Sequence, residues 1–243
     1  MSQKVGVQTK RLAFIILAGL TISAQGELVH RYKFNGNLED SKGGFSGTAT
    51  WDTTYLEAPV YTKDIPKGRV KGGGTKSIEL GMNKGTKKSG FQLSTYVLRS
   101  GKGSYCFWMK ADSVSVDDYL LAAAESGPTA VVFEQAVKVA FADDEHQLKP
   151  IKTDVWNLVV VSWDNAAGKA FFYLNDEAPV EIDFKPGSIQ PQEIRIGSWN
   201  QGDNAEHMEN QFNGKLYELQ FYDTMLDAKD VKTLYKKPGS VIK

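Results

Sequence analysis

The stretch "VWNLVVVSWDNAAGKAFFYLNDEAPVEIDF", residues 155–184, decides the fold class. It reads as a strand from Trp156 to Trp163, a turn from Asn165 to Lys169, a strand from Ala170 to Leu174, a turn at Asn175-Asp176 and a strand from Val180 to Phe184. Short runs of β-branched and aromatic residues broken by Asn, Asp and Gly are the grammar of consecutive antiparallel hairpins. In the last strand Val180, Ile182 and Phe184 share one face, and Glu181, Asp183 and Lys185 share the other. A retaining glycosidase needs two carboxylates, one as nucleophile and one as acid/base, and a Glu-x-Asp-x-Glu strand is one way to present them. Here the third position is Lys185, so Glu181 and Asp183 read as a solvated strand face opposite core residues.

Outward from this stretch the same grammar continues. Strands are predicted near residues 28–34, 77–80, 91–98, 104–110, 119–124, 130–135, 137–142, 193–197 and 214–222. In "SYCFWMK", Tyr105, Phe107 and Met109 alternate with Cys106 and Trp108, the pattern of a strand buried on both faces. Trp108, Trp156 and Trp163 are assigned to core strands. The one helix expected is "MLDAKDVKTLY", with Asp227 capping its first turn, Asp230 three residues on, Leu226 stapled to Val231, and Val231 and Leu234 packed on the sheets. Many short strands and one late helix predict an all-β, two-sheet antiparallel jelly-roll sandwich with one short C-terminal helix.

Before the first strand, Lys4, Lys10 and Arg11 precede an apolar run from Leu12 to Ile22 and then Ala24 and Gly26, the arrangement of a secretory signal peptide over residues 1–26. The run of eleven residues is short of the ~20 that cross a bilayer, so no membrane span is expected after cleavage. Residues 27–243 are then expected as one domain, secreted or held in the periplasm or cell envelope. Removal of the leader leaves 26 basic against 29 acidic residues, a net charge of −3. That balance carries no global field for nucleic acid. Cys106, the only cysteine, cannot form an internal disulfide and reads as a buried structural thiol.

Several motifs invite a chemical reading. His30, His146 and His207 lie far apart and lack zinc-ligand spacing, which makes them surface or strand histidines. "MNKGTKKSG" and "VKGGGTKSIEL" lack the glycine spacing and following helix of a phosphate loop and read as flexible lysine-bearing connections. "GSWNQGDNAEHMENQFNG" is the recognition candidate: Trp199 offers a ring for sugar C–H groups, and Asn200, Gln201, Asp203 and Asn204 offer partners for hydroxyls. The opposing reading makes Trp199 a plug at the edge of the core. Trp51 and Tyr55 form a second such candidate.

"LVHRYKFNGNLEDSKGGFSGTATW", "SYCFWMKADSVSVDDYLLA", "WNLVVVSWDNAAGKAFFYLNDE" and "FNGKLYELQFYDTMLDAKDVKTLY", in this order, resemble the bacterial laminin-G-like, concanavalin A-like lectin/glucanase domains. The resemblance implies two stacked jelly-roll sheets and a calcium ion where the early loop meets the last strand. Asp40 would be its carboxylate ligand, with backbone oxygens from Asn35 and the loop, and Glu218 near the ion. Where the family has Asn residues after Asp-Ser, this chain has "KGGFSG", so a metal-free turn with Asp40 bonding its own backbone is the other reading. The function expected is a secreted, non-catalytic binding or adhesion module for polysaccharide, cell-surface glycan or a protein partner. The alternatives are a glycoside hydrolase using Glu181 and Asp183, and a structural envelope protein.

Overall fold

A computed structural model describes residues 26–49, 57–81, 89–98, 101–113, 118–123, 127–133, 136–141, 144–197 and 211–243. Among the described residues the strands are β1 (Leu28–Tyr32), β2 (Val60–Thr62), β3 (Ser77–Leu80), β4 (Phe91–Leu93), β5 (Lys102–Ala111), β6 (Asp118–Ala123) and β7 (Pro128–Phe133). They continue with β8 (Ala136–Phe141), β9 (Asp144–Pro150), β10 (Asn157–Asp164), β11 (Lys169–Leu174), β12 (Val180–Asp183), β13 (Ile194–Ile196) and β14 (Gly214–Tyr222), and the helix α1 (Ala228–Lys236) closes the chain. The strands form two antiparallel sheets, ordered β12-β11-β10-β5-β14-β3-β2 and β4-β13-β6-β7-β8-β9. The predicted sandwich is observed.

The hairpins of 155–184 form as read, with Val161 opposite Phe172 and Trp163 opposite Ala170 on β10 and β11, and Ala170 opposite Ile182 on β11 and β12. Gly168 adopts a φ of +64° in the first turn, where a Cβ would stand 2.4 Å from the carbonyl oxygen of Phe184. Asn175 takes the second turn at a φ of +59°, a conformation asparagine tolerates better than most residues.

The first sheet is buried on both faces, and two hydrophobic clusters separate accordingly. Tyr105, Phe107, Val159, Val161 and Trp163 face the second sheet, whereas Cys106, Trp108, Leu158 and Val160 face α1 and the C-terminal tail. Phe141 of β8 stacks on Phe184 across the sandwich at 4.7 Å. On the outer face Val231 and Leu234 are buried, and Tyr235 stacks on Trp108 at 5.6 Å. Trp156, expected in a core strand, instead precedes β10 and is half-buried at the edge of this outer cluster. The helix begins as read: the Asp227 carboxylate accepts from the Lys229 and Asp230 amides at 2.8 and 2.9 Å, and Asp230 accepts from the Asp227 amide at 3.3 Å. No helix among the described residues is long and apolar enough to cross a membrane.

Two strands escape the sequence grammar. β9, "DEHQLKP", has no apolar alternation and exists because it pairs with β8, Ala140 opposite Glu145. β2 is three residues long and, among the described residues, pairs with β3 alone. One strand is also shorter than read: β4 stops at Leu93, because the Val97 amide turns back to the Ser94 carbonyl at 3.1 Å.

Candidate functional site

Three places bear on function: the meeting point of β1, the early loop and β14, the acidic strand β12, and the neck of the segment after β13. The first is organised by a change of neighbour along β14. Its beginning pairs with β3 and its end pairs with β1. Between Tyr217 and Gln220 the β5–β14 register slips, and Glu218 takes a φ of +55° in that slip. A bulge in this conformation is costly for a residue with a Cβ, and the side-chain bonds it enables offset that cost.

Those bonds are made to nitrogen donors. Glu218 Oε2 accepts from Arg31 Nε at 2.9 Å and Oε1 from Arg31 Nη2 at 2.8 Å, the bidentate geometry at which Arg and carboxylate bind most firmly. Oε1 also accepts from the Gly74 amide at 2.5 Å, and Oε2 from Gln220 Nε2 at 3.2 Å. Arg31 Nη2 reaches the Gly239 carbonyl at 2.8 Å, tying β1 to the C-terminal tail. The glycine run therefore corrects the reading of a flexible connection. At Gly74 a Cβ would lie 2.5 Å from the Lys33 carbonyl oxygen, and the Tyr217 hydroxyl donates to the Gly74 carbonyl at 3.1 Å.

Asp40 is likewise surrounded by donors. Oδ1 accepts from the amides of Arg31, Lys42 and Gly43 at 2.9, 3.0 and 2.9 Å. Oδ2 accepts from the Phe45 amide at 3.2 Å and lies 2.7 Å from His30 Nδ1. Burial alone would raise the Asp40 carboxyl, but the Arg31 and Gly43 amides, the His30 ring and the Lys42 amide outweigh it and hold it below its ordinary value. His30 is a buried strand histidine that packs edge-on against Phe45 and Phe221. The Asn35 amide oxygen accepts from the Thr75 amide and hydroxyl at 2.7 and 3.0 Å.

A hard cation wants six to eight oxygen ligands. Both oxygens of Asp40 and both of Glu218 instead face N–H groups, and the positive charge beside Glu218 is the Arg31 guanidinium. This donor set does not fit calcium. Among the described residues no group of three His, Cys, Asp or Glu side chains is placed to hold a metal ion. The arrangement seen is the turn in which Asp40 bonds the backbone of its own loop. Arg31 was not singled out in the sequence, since an Arg alternating into a strand reads as surface; its signal was a partner 187 residues away.

On β12, Glu181 Oε1 and Asp183 Oδ1 converge on Lys169 Nζ at 2.8 and 2.6 Å, on an exposed edge of the first sheet. Asp183 and then Glu181 raise the Lys169 ammonium above its ordinary value, so the three groups form one ion-paired cluster. Two carboxylates held by one ammonium do not flank a substrate bond as an acid and a nucleophile must. Cys106 is buried, with its thiol pushed up by desolvation and by the Glu218 charge, which removes it as a nucleophile.

Trp199, Asn200, Gln201, Asp203 and Asn204 lie outside the described residues, as do Trp51, Tyr55, His207, residues 1–25 of the expected leader, and residues 82–88 of "MNKGTKKSG". The residues that bracket the Trp199 segment are described. The Gly197 amide donates to the Leu120 carbonyl at 3.1 Å, and the Phe212 amide donates to the Gly197 carbonyl at 3.0 Å. Gln211 forms a bridge with Tyr119 of β6, and Phe212 is fully buried. The segment thus leaves and rejoins the sandwich at one hydrogen-bonded neck.

The sequence matches a laminin G family described as the concanavalin A-like lectin/glucanases superfamily over residues 84–232, more than half of the chain. The chain belongs to this superfamily. Its fold is shared by enzymes and by binding modules. A search of curated proteins returns no match. Among solved structures, domain 4 of AbnA, a GH43 extracellular arabinanase from Geobacillus stearothermophilus, in complex with arabinotriose, is similar with a TM-score of 0.64 and 20% identity, over 87% of this chain and 99% of that one. A structure of botulinum neurotoxin type C, whose cell entry depends on two ganglioside molecules, matches with a TM-score of 0.63 and 14% identity over 87% of this chain. The binding domain of botulinum neurotoxin DC in complex with rat synaptotagmin II matches with a TM-score of 0.62 and 14% identity over 87% of this chain. This chain spans about half the length of each neurotoxin chain, 50% and 51%.

Proposed function

We propose that the protein is an exported, non-catalytic module that binds polysaccharide through the segment carrying Trp199. The observation that carries this reading is the neck at Gly197 and Phe212, which fixes the base of an aromatic, amide-rich segment two residues from Trp199. In sequence the segment supplies an aromatic ring for sugar C–H faces at Trp199 and partners for hydroxyls at Asn200, Asp203 and Asn204. The complex of the AbnA domain with arabinotriose supports a sugar as the ligand, and the Lys169-bound acids of β12 support a role without catalysis. The leader over residues 1–26, with its basic start and apolar run, supports export.

The test is affinity electrophoresis of the mature chain through gels holding arabinan, xylan or β-glucan. Retardation is expected in at least one gel, and Trp199→Ala should abolish it while the melting temperature holds. Reducing sugar released by the wild type and lost in Glu181→Gln would overturn the non-catalytic reading.

A further inference from the structure

A second aromatic surface lies outside that segment. Phe45, in the early loop, and Tyr96, after β4, are 39% and 70% exposed, and their ring centroids stand 5.8 Å apart with the planes inclined at 36°. We propose that Phe45 and Tyr96 form a stacking platform for a neutral oligosaccharide, an additional subsite of the polysaccharide-binding function proposed above, on which this inference rests.

The platform is built rigidly from beneath. Asp40 accepts from the Phe45 amide, and the Phe45 carbonyl accepts from the buried Tyr32 hydroxyl at 2.7 Å. The Phe45 ring rests edge-to-face on the buried His30, 5.6 Å between centroids. Beyond it the Gly47 amide donates to the Leu38 carbonyl, and Thr48 and Gln92 exchange two backbone hydrogen bonds of 2.9 Å. Tyr96 is carried by the turn at Ser94, anchored by the buried Val97 and Leu98. Tyr96 in particular buries little of its surface, so the fold gains little from displaying it.

The chemistry of the rim selects the ligand. The two segments Gly43 to Thr48 and Gln92 to Leu98 contain no charged residue, and Ser46, Thr48, Ser94 and Thr95 supply hydroxyls, whereas the Gln92 side-chain amide is taken up by Glu193. Hydroxyls beside ring faces suit the C–H faces and hydroxyls of an uncharged sugar. Two side chains also provide far less than the ~800 Å² that each partner commits to a stable protein interface.

The experiment uses the mature chain and the same three polysaccharides, with the dissociation constant read by titration for wild type, Phe45→Ala, Tyr96→Ala, Tyr96→Phe and Trp199→Ala. Phe45→Ala and Tyr96→Ala should each weaken binding about tenfold, and Tyr96→Phe, which keeps the ring, by less than about threefold. Because Phe45 is partly packed, its variant is compared by near-ultraviolet circular dichroism, and Tyr96→Ala carries the conclusion if Phe45→Ala unfolds. Unchanged affinity in Tyr96→Ala beside a loss in Trp199→Ala would overturn the platform and leave the polysaccharide reading intact. No binding by the wild type would overturn both. Self-association abolished by Tyr96→Ala with polysaccharide affinity unchanged would assign the rings to a protein contact and overturn the proposal.

Discussion

Asp40 carries the largest single local commitment in the described chain. Its two oxygens collect donors from β1 and from its own loop. Asp40→Ala at neutral pH should therefore cost about 3 kcal/mol by chemical denaturation, since the buried His30 and several part-buried amides lose a charged acceptor. The sign of its pH dependence follows from a folded-state pKa held below the ordinary value. Such a carboxyl adds stability above its unfolded pKa of ~3.9 and loses it as pH falls through the folded value. The gap between wild type and Asp40→Ala should accordingly be widest above about pH 5 and narrow in acid. A gap independent of pH would place the effect in packing instead. Residue-level reading of the sequence reached Asp40 and its Asx-type turn because that pattern is local. It missed Arg31 and assigned Tyr96 to a strand, because their roles depend on Glu218 and on a turn at Ser94 that ends β4 early.

At the scale of elements, α1 shows how a short helix is kept. Its cap is local, and Asp227→Ala should cost about 1 kcal/mol by removing acceptors for two first-turn amides. Its packing is tertiary, and Leu234→Ala should cost about 2–4 kcal/mol through lost burial against the outer face of the first sheet. Thermal melts of the two variants test the ranking; a larger effect at the cap would mean that the helix contributes little to the outer cluster. β12 makes the contrasting case. Glu181 and Asp183 share one exposed ammonium, so Glu181→Gln should change stability by less than about 0.5 kcal/mol. The alternation of β12 was legible because one face is wet, and β5 was legible because both faces are apolar. β9 was not, since its strand character comes from its neighbour rather than from its own side chains.

For the whole molecule, the N–H donors around Asp40 and Glu218 have a consequence that melting can measure. An ion stabilises a fold by mass action only where the native state binds it better than the unfolded chain. Chelator should leave the midpoint of the wild type unchanged, and added calcium should not raise it; a chelator-dependent fall of several degrees would show a site that the Asp40 and Glu218 donors do not reveal. By itself the sequence determined the sandwich, the hairpins of residues 155–184, the doubly buried β5 and the capped terminal helix. These rest on periodicity and turn chemistry, which act over a few residues. Only the tertiary structure decided that Glu218 meets Arg31 and Gly74, that the β12 acids close on Lys169, and that Phe45 and Tyr96 stand side by side. Each of these pairings joins groups brought together by β-sheet topology or by the path of a loop, and side-chain alternation along one strand carries no record of which strand, or which loop, will lie beside it.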